Sequence, residues 1–205
     1  IARLLPVNGR IISGSILFDD VNLLKIDEKE FRKNFRWKRI SMVFQGAMNA
    51  LNPVFRVGDQ IVQAIQVHEK ISNDEAWKQV ENLFSLVGLD PNRARDYPHE
   101  FSGGMKQRAI IALSLACNPD LVIADEPVTA LDVIVQAQIL ELIRNLRDKL
   151  GLSMVMITHD LSVIADTCNK VAIMYAGKIV EYADTITLFK SPSHPYSQGL
   201  LANYP

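Results

Sequence analysis

Residues 121–132 read LVIADEPVTALD, and this stretch decides the fold. Leu121, Val122, Ile123 and Ala124 form the short apolar run of a strand buried in a parallel sheet. The run ends in two adjacent carboxylates, Asp125 and Glu126, and Pro127 stops it. A strand that ends in acids delivers them to the carboxyl edge of its sheet, where ligands bind in open α/β folds. Successive side chains of a strand point opposite ways, so one acid is placed to hold a cation while the other faces a different part of the site.

Downstream, residues 132–150 have an amphipathic helical pattern, with Val135, Ile139, Leu142, Leu146 and Leu150 on one stripe and Gly151 as the stop. Residues 153–158 (SMVMIT) read as another buried strand, ending at His159 and Asp160. A short helix over 161–168, strands over 170–175 and 178–182 joined at Ala176 and Gly177, a helix over 184–190 and the tail HPYSQGLL at 194–201 follow. Upstream, a strand over 40–44 (ISMVF) ends at Gln45, and a loop over 46–53 (GAMNALNP) follows it. Two helical patterns, 57–69 and 73–87, are closed by Gly88. Residues 101–108 (FSGGMKQR) open a further helix over 105–117; Ser102 is placed to cap it, and the glycines let an oxyanion approach its first N–H groups. A strand over 14–18 precedes the turn residues Asp19, Asp20 and Asn22, and residues 31–39 are basic and aromatic. Residues 1–6 (IARLLP) read as the end of a helix already under way, so an upstream segment is expected.

Strands alternating with helices predict an α/β fold with a mainly parallel sheet. The chain of 205 residues suffices for a large domain or a core with a subdomain. At 48% hydrophobic and 22% charged residues and a formal net charge of −1, it has no basic excess for neutralising a nucleic-acid backbone, and no nucleic-acid partner is expected. The longest apolar run, 109–117, is far short of the roughly 20 residues that span a bilayer, so any membrane role is peripheral. Cys117 and Cys168 show no metal-ligand spacing and read as two buried thiols.

Gln45, the helix start at Ser102, Gly103 and Gly104, the pair Asp125 and Glu126, and His159 resemble, in order and spacing, the motifs of the ATP-binding cassette (ABC) transporter nucleotide-binding subunit. Gln45 takes the place of the Q-loop glutamine, residues 101–108 resemble the signature motif, 121–126 the Walker B strand, 130–132 the D-loop, and His159 the switch histidine. The stretches QGAMNALNP at 45–53, ALDVIVQAQ at 130–138 and HPYSQGLL at 194–201 are similar to the oligopeptide and dipeptide (peptide/nickel) importer branch. Met105 stands where the general signature has Gln, a change common in that branch, and Gly46 and Ala47 replace the usual acid and proline. The 205 residues contain no G-x-x-x-x-G-K-[ST] loop, the Walker A element that would cradle phosphates.

The resemblance implies a P-loop NTPase-like sheet with an inserted helical subdomain, N-terminally incomplete. Residues 1–45 would belong to the first part of the ATPase core, 46–117 to the helical subdomain, 118–190 to the second part of the core and 191–205 to the start of a carboxyl-terminal extension. It further implies ATP and Mg²⁺ as ligands. Asp125 and Gln45 would hold the metal, Glu126 would activate water, and His159 would touch the γ-phosphate. Ser102, Gly103, Gly104 and Met105 would meet ATP on a second nucleotide-binding subunit, with Asp132 at the seam of that homodimer or heterodimer. Implied partners are transmembrane permease subunits and, indirectly, a solute-binding protein, with the chain peripheral on the cytoplasmic face of the membrane. The competing expectations are a truncated, non-hydrolysing cassette acting in trans, and a cassette ATPase working on DNA or ribosomes.

Overall fold

The computed structural model describes residues 1–46 and 50–202, so Ala47 lies outside the described residues. The chain divides into two compact units, Ile1–Val155 and Met156–Pro205.

In the first unit, β1 (Leu17–Phe18) and β2 (Val21–Asn22) form an antiparallel hairpin whose turn begins with Asp19 at φ 49°. Only the end of the strand expected over 14–18 is thus paired. Helix α1 (Glu28–Asn34) follows, started by Asp27, whose side chain accepts the Glu30 N–H. The basic and aromatic stretch at 31–39 therefore begins as a helix. Phe31 and Phe35, one turn apart, stack at 6.1 Å and are buried with Leu23, Ile40 and Ile123. Residues 1–6 are not helical: Arg3 sits at φ 54°, its guanidinium donates to the Ile26 carbonyl, and Pro6 has no N–H for an intrahelical bond.

The central sheet has the order β3 (Ile40–Val43), β4 (Leu121–Asp125), β5 (Ser153–Ile157), with β3 and β4 parallel. β4 is the buried strand expected, with Val122, Ile123 and Ala124 nearly inaccessible. β5 is not: its exposure alternates, and Val155 and Ile157 are 40% and 49% exposed. That alternation marks a strand covered on one face only.

Between β3 and β4 lies a helical insert of α2 (Val57–His68), α3 (Asn73–Leu86) and α4 (Gly103–Ser114). Ser72 and Glu75 cap α3 reciprocally, and Val57, Ile61, Ile65, Val80 and Phe84 are fully buried. At its end Gly88 adopts φ 72°, and the Arg108 guanidinium of α4 donates to the Val87 carbonyl at 2.7 Å. After β4, α5 (Val133–Leu150) buries Ile139, Ile143 and Leu146; Leu150 is 43% exposed. The buried stripe therefore runs through Ile143 rather than Leu142, because 3.6 residues per turn carry the face around the helix.

The second unit contains α6 (Leu161–Thr167), the antiparallel hairpin β6 (Lys170–Tyr175) and β7 (Lys178–Asp184), α7 (Thr185–Lys190) and α8 (Pro195–Ala202). Its core is Val171, Ile173 and Leu188, packed by Ile164, Val180, Leu200 and Leu201. The tail at 194–201 is helical because Glu181 of β7 accepts the N–H groups of Ser193 and His194 at 2.8 and 3.0 Å, a cap supplied from a distant strand. Cys117 is buried, whereas Cys168 is partly exposed; both are free thiols. Among the described residues, no helix is long and apolar enough to cross a membrane.

Candidate functional site

The parallel register of β3 and β4 pairs Ile40 with Leu121 and Val43 with Ala124. The chains leave the sheet side by side, and the same offset carries Gln45 to Glu126: the Gln45 Nε2 donates to Glu126 Oε2 at 2.8 Å. The Thr129 hydroxyl donates to the same oxygen at 2.9 Å, and the Thr129 N–H donates to the Glu126 carbonyl at 3.2 Å. Glu126 is thus held by the strand beside it and by the turn after it. Asp125, half-buried, is the last residue of β4.

That turn is unusual for its residue types. Glu126 and Ala130 have left-handed backbones, φ 45° and 66°, although neither is glycine. A non-glycine residue in this region costs of order 1 kcal/mol or more and persists only where its surroundings over-determine it. The Gln136 side chain donates to the Leu131 carbonyl at 2.8 Å, and Asp132 caps α5 by accepting the Val135 N–H at 3.0 Å. From the other side, the buried Gln107 of α4 donates to the Pro127 carbonyl at 2.6 Å.

Helix α4 begins as expected. Ser102 accepts the Met105 N–H at 3.3 Å, and Ser102 and Gly103 are exposed. The free N–H groups of a first helical turn suit an anion. Gly104 is small for a second reason: a Cβ there would lie 2.8 Å from Val135 Cγ1 on α5. The signature-like helix and the helix after Asp132 are therefore in contact across this glycine.

Gln45, Asp125, Glu126, Ser102, Gly103, Gly104, Met105 and Asp132 all lie in the first unit. Gln45 and Glu126 are in direct contact, while Asp132 and the start of α4 are bound into the same turn from either side. His159 belongs to the second unit, exposed between β5 and Asp160, which caps α6 by accepting the Ser162 N–H at 2.8 Å. That bonding holds the Asp160 carboxyl below its usual range, the Ser162 hydroxyl being the main cause. Two contributors, Gln107 within the signature-like stretch and Thr129 between the Walker B-like and D-loop-like stretches, are not among the expected site residues. The signal for Gln107 is its place one turn before Ile111 and two before Ser114, on the buried face of the helix.

Asp125 and Gln45 each carry an oxygen donor of the hard kind that suits Mg²⁺. Among the described residues, no group of three or more His, Cys, Asp or Glu side chains could hold a metal ion. Mg²⁺ tolerates so small a set because it keeps several waters and takes phosphate oxygens as ligands.

A model of the ABC transporter family matches residues 1–129. The chain is 48% identical over 202 residues to the dipeptide transport ATP-binding protein of Bacillus subtilis, covering 98% of this chain and 60% of that protein. It is 47% identical over 204 residues to an oligopeptide transport ATP-binding protein of Escherichia coli, again 98% of this chain and 60% of the relative. It thus spans about three fifths of the length of these curated relatives. Among solved structures it resembles cbiO1 from Clostridium perfringens, part of an ABC transporter complex, with TM-score 0.77, 28% identity and coverage of 88% of this chain and 69% of that one. It also resembles the dimeric post-hydrolysis state of the ATP-binding cassette MJ0796 bound to ADP and Pi, with TM-score 0.73, 26% identity and coverage of 85% and 74%. With its parallel sheet, helical insert and paired Gln45 and Glu126, the chain belongs to the ABC transporter family.

Proposed function

We propose that this chain is part of an ATP-binding and ATP-hydrolysing subunit that energises import of oligopeptides, dipeptides or a related small solute. The observation that carries the reading is the Gln45–Glu126 hydrogen bond at the carboxyl edge of β3 and β4, with a capped, glycine-rich helix start bound into the same turn. The names of the peptide-transport relatives support the solute class.

In this reading Asp125 and the Gln45 amide oxygen would hold Mg²⁺, which would offset charge on the phosphoryl oxygens. Glu126 orients and deprotonates the attacking water, and the Gln45 and Thr129 bonds to Oε2 fix the carboxylate in place. His159 contacts the terminal phosphate. Ser102, Gly103, Gly104 and Met105 meet ATP on a second nucleotide-binding subunit, and Asp132 lies near the seam. The insert over 46–117 relays closure to transmembrane permease subunits on the cytoplasmic face, which receive solute from a binding protein.

The test is Glu126→Gln in the full-length protein. Steady-state hydrolysis is expected to fall by more than a hundredfold while ATP-dependent dimerisation, read by size-exclusion chromatography, persists. Undiminished turnover refutes Glu126 as the base.

A further inference from the structure

Glu126 lies in a turn that its own residues do not favour, with left-handed backbones at Glu126 and Ala130. Something outside the turn has to hold it: Gln45 bonds the Glu126 carboxylate, Gln136 of α5 bonds the Leu131 carbonyl, and α4 supplies a buried bond of its own. Gln107 is 4% exposed, Pro127 is among the fully buried side chains, and the bond between the Gln107 amide and the Pro127 carbonyl is short at 2.6 Å. The carbonyl so held belongs to the residue immediately after Glu126. At the far end of the turn Gly104 of α4 meets Val135 in the first turn of α5, next to the cap Asp132. One helix therefore grips both ends of the segment 126–132. Gln107 lies five residues beyond the cap Ser102, about 7.5 Å along a helix that moves as a rigid body.

We propose that Gln107 is the positioning residue of this site: it ties the Glu126 turn to α4, so that the state of the α4 N-terminus and the placement of the Glu126 carboxylate change together. This rests on the function proposed above. There α4 meets nucleotide bound by the second subunit while Glu126 serves nucleotide bound by its own, so Gln107 couples the two nucleotide sites of the pair. No chemical step passes through Gln107. Its donor keeps a buried carbonyl satisfied, and a buried carbonyl without a partner is costly enough to let the turn move.

The test uses the full-length protein without nucleotide. Gln107→Met keeps length and volume and removes the donor. Amide hydrogen exchange is expected to rise at least tenfold at Thr129 and Leu131, whose N–H groups bond within the turn, while residues 109–114 of α4 keep their protection. Gln107→Glu, which burial keeps protonated, donates to the same carbonyl and is expected to restore most of the lost protection. In turnover assays Gln107→Met lowers kcat at least tenfold with little change in KM. Unchanged exchange in the turn of the Met variant overturns the inference, as does an equal rise in α4. Because exchange is measured without ATP, it separates the two readings: active Glu126→Gln refutes the function, and rigid Gln107→Met refutes the coupling.

Discussion

Gly104→Ala should weaken the protein by colliding with another helix, apart from any effect on an anion. The new Cβ would lie 2.8 Å from Val135 Cγ1, closer than carbon atoms tolerate, and β-branched Val135 has essentially one rotamer in a helix. The methyl can be accommodated only by moving α4 away from α5, an overpacking cost of about 1–3 kcal/mol. Against this stands a gain of up to about 1 kcal/mol from replacing a helical glycine. The net loss is about 1–2 kcal/mol, or about 2–8 °C in melting temperature for a domain of this size. The assay is thermal unfolding of Gly104→Ala, Val135→Ala and the double variant. Val135→Ala removes the obstructing methyls, so the double variant should be more stable than the sum of the single losses predicts, by about 1 kcal/mol. Strict additivity would refute the contact.

Two more outcomes follow from burial and bonding. Burial pushes the Cys117 thiol up to about 11, so at pH 8 only about one molecule in a thousand carries the thiolate; iodoacetamide should label Cys168 first and Cys117 only on unfolding, and early labelling of Cys117 contradicts the packing. The Ser193 N–H, with further donors near it, holds the Glu181 carboxyl below its ordinary value of 4.5. A depressed carboxyl favours the folded state above the unfolded value and loses that contribution as pH falls through the folded one. Amide protection in α8 should therefore decline below about pH 4.5 and be weak at every pH in Glu181→Ala; pH-independent protection would refute the cap.

Much of the fold was legible because its signals are local. The apolar run at 121–124 is a buried strand, Gly88 and Gly151 end helices in the left-handed region, and Asp132 and Ser102 sit where caps belong. Where the signal is not local, the reading departs from the structure. α8 is capped by Glu181, twelve residues before Ser193, and no motif records that partnership. α1 hides in a basic aromatic stretch because only Phe31 and Phe35 reach the core, and two aromatic residues do not establish a period. β5 is apolar after Ser153, yet Val155 and Ile157 are exposed, since apolar composition reports what a strand can bury rather than what covers it.

The sequence by itself determined the identity and order of the chemical groups: Gln45 after a strand, Ser102 and two glycines before a helix, Asp125 and Glu126 after a strand, and His159 after another. Those follow from periodicity and end signals carried by neighbouring residues. Only the tertiary structure decided that Gln45 touches Glu126, because strand register is set by packing between segments 81 residues apart. It alone decided that Gln107 supports the carbonyl of Pro127 and that Gly104 is small for the sake of Val135. A hydrogen bond between distant elements and the space left beside a Cα are properties of the packed chain, and no sequence window contains both partners.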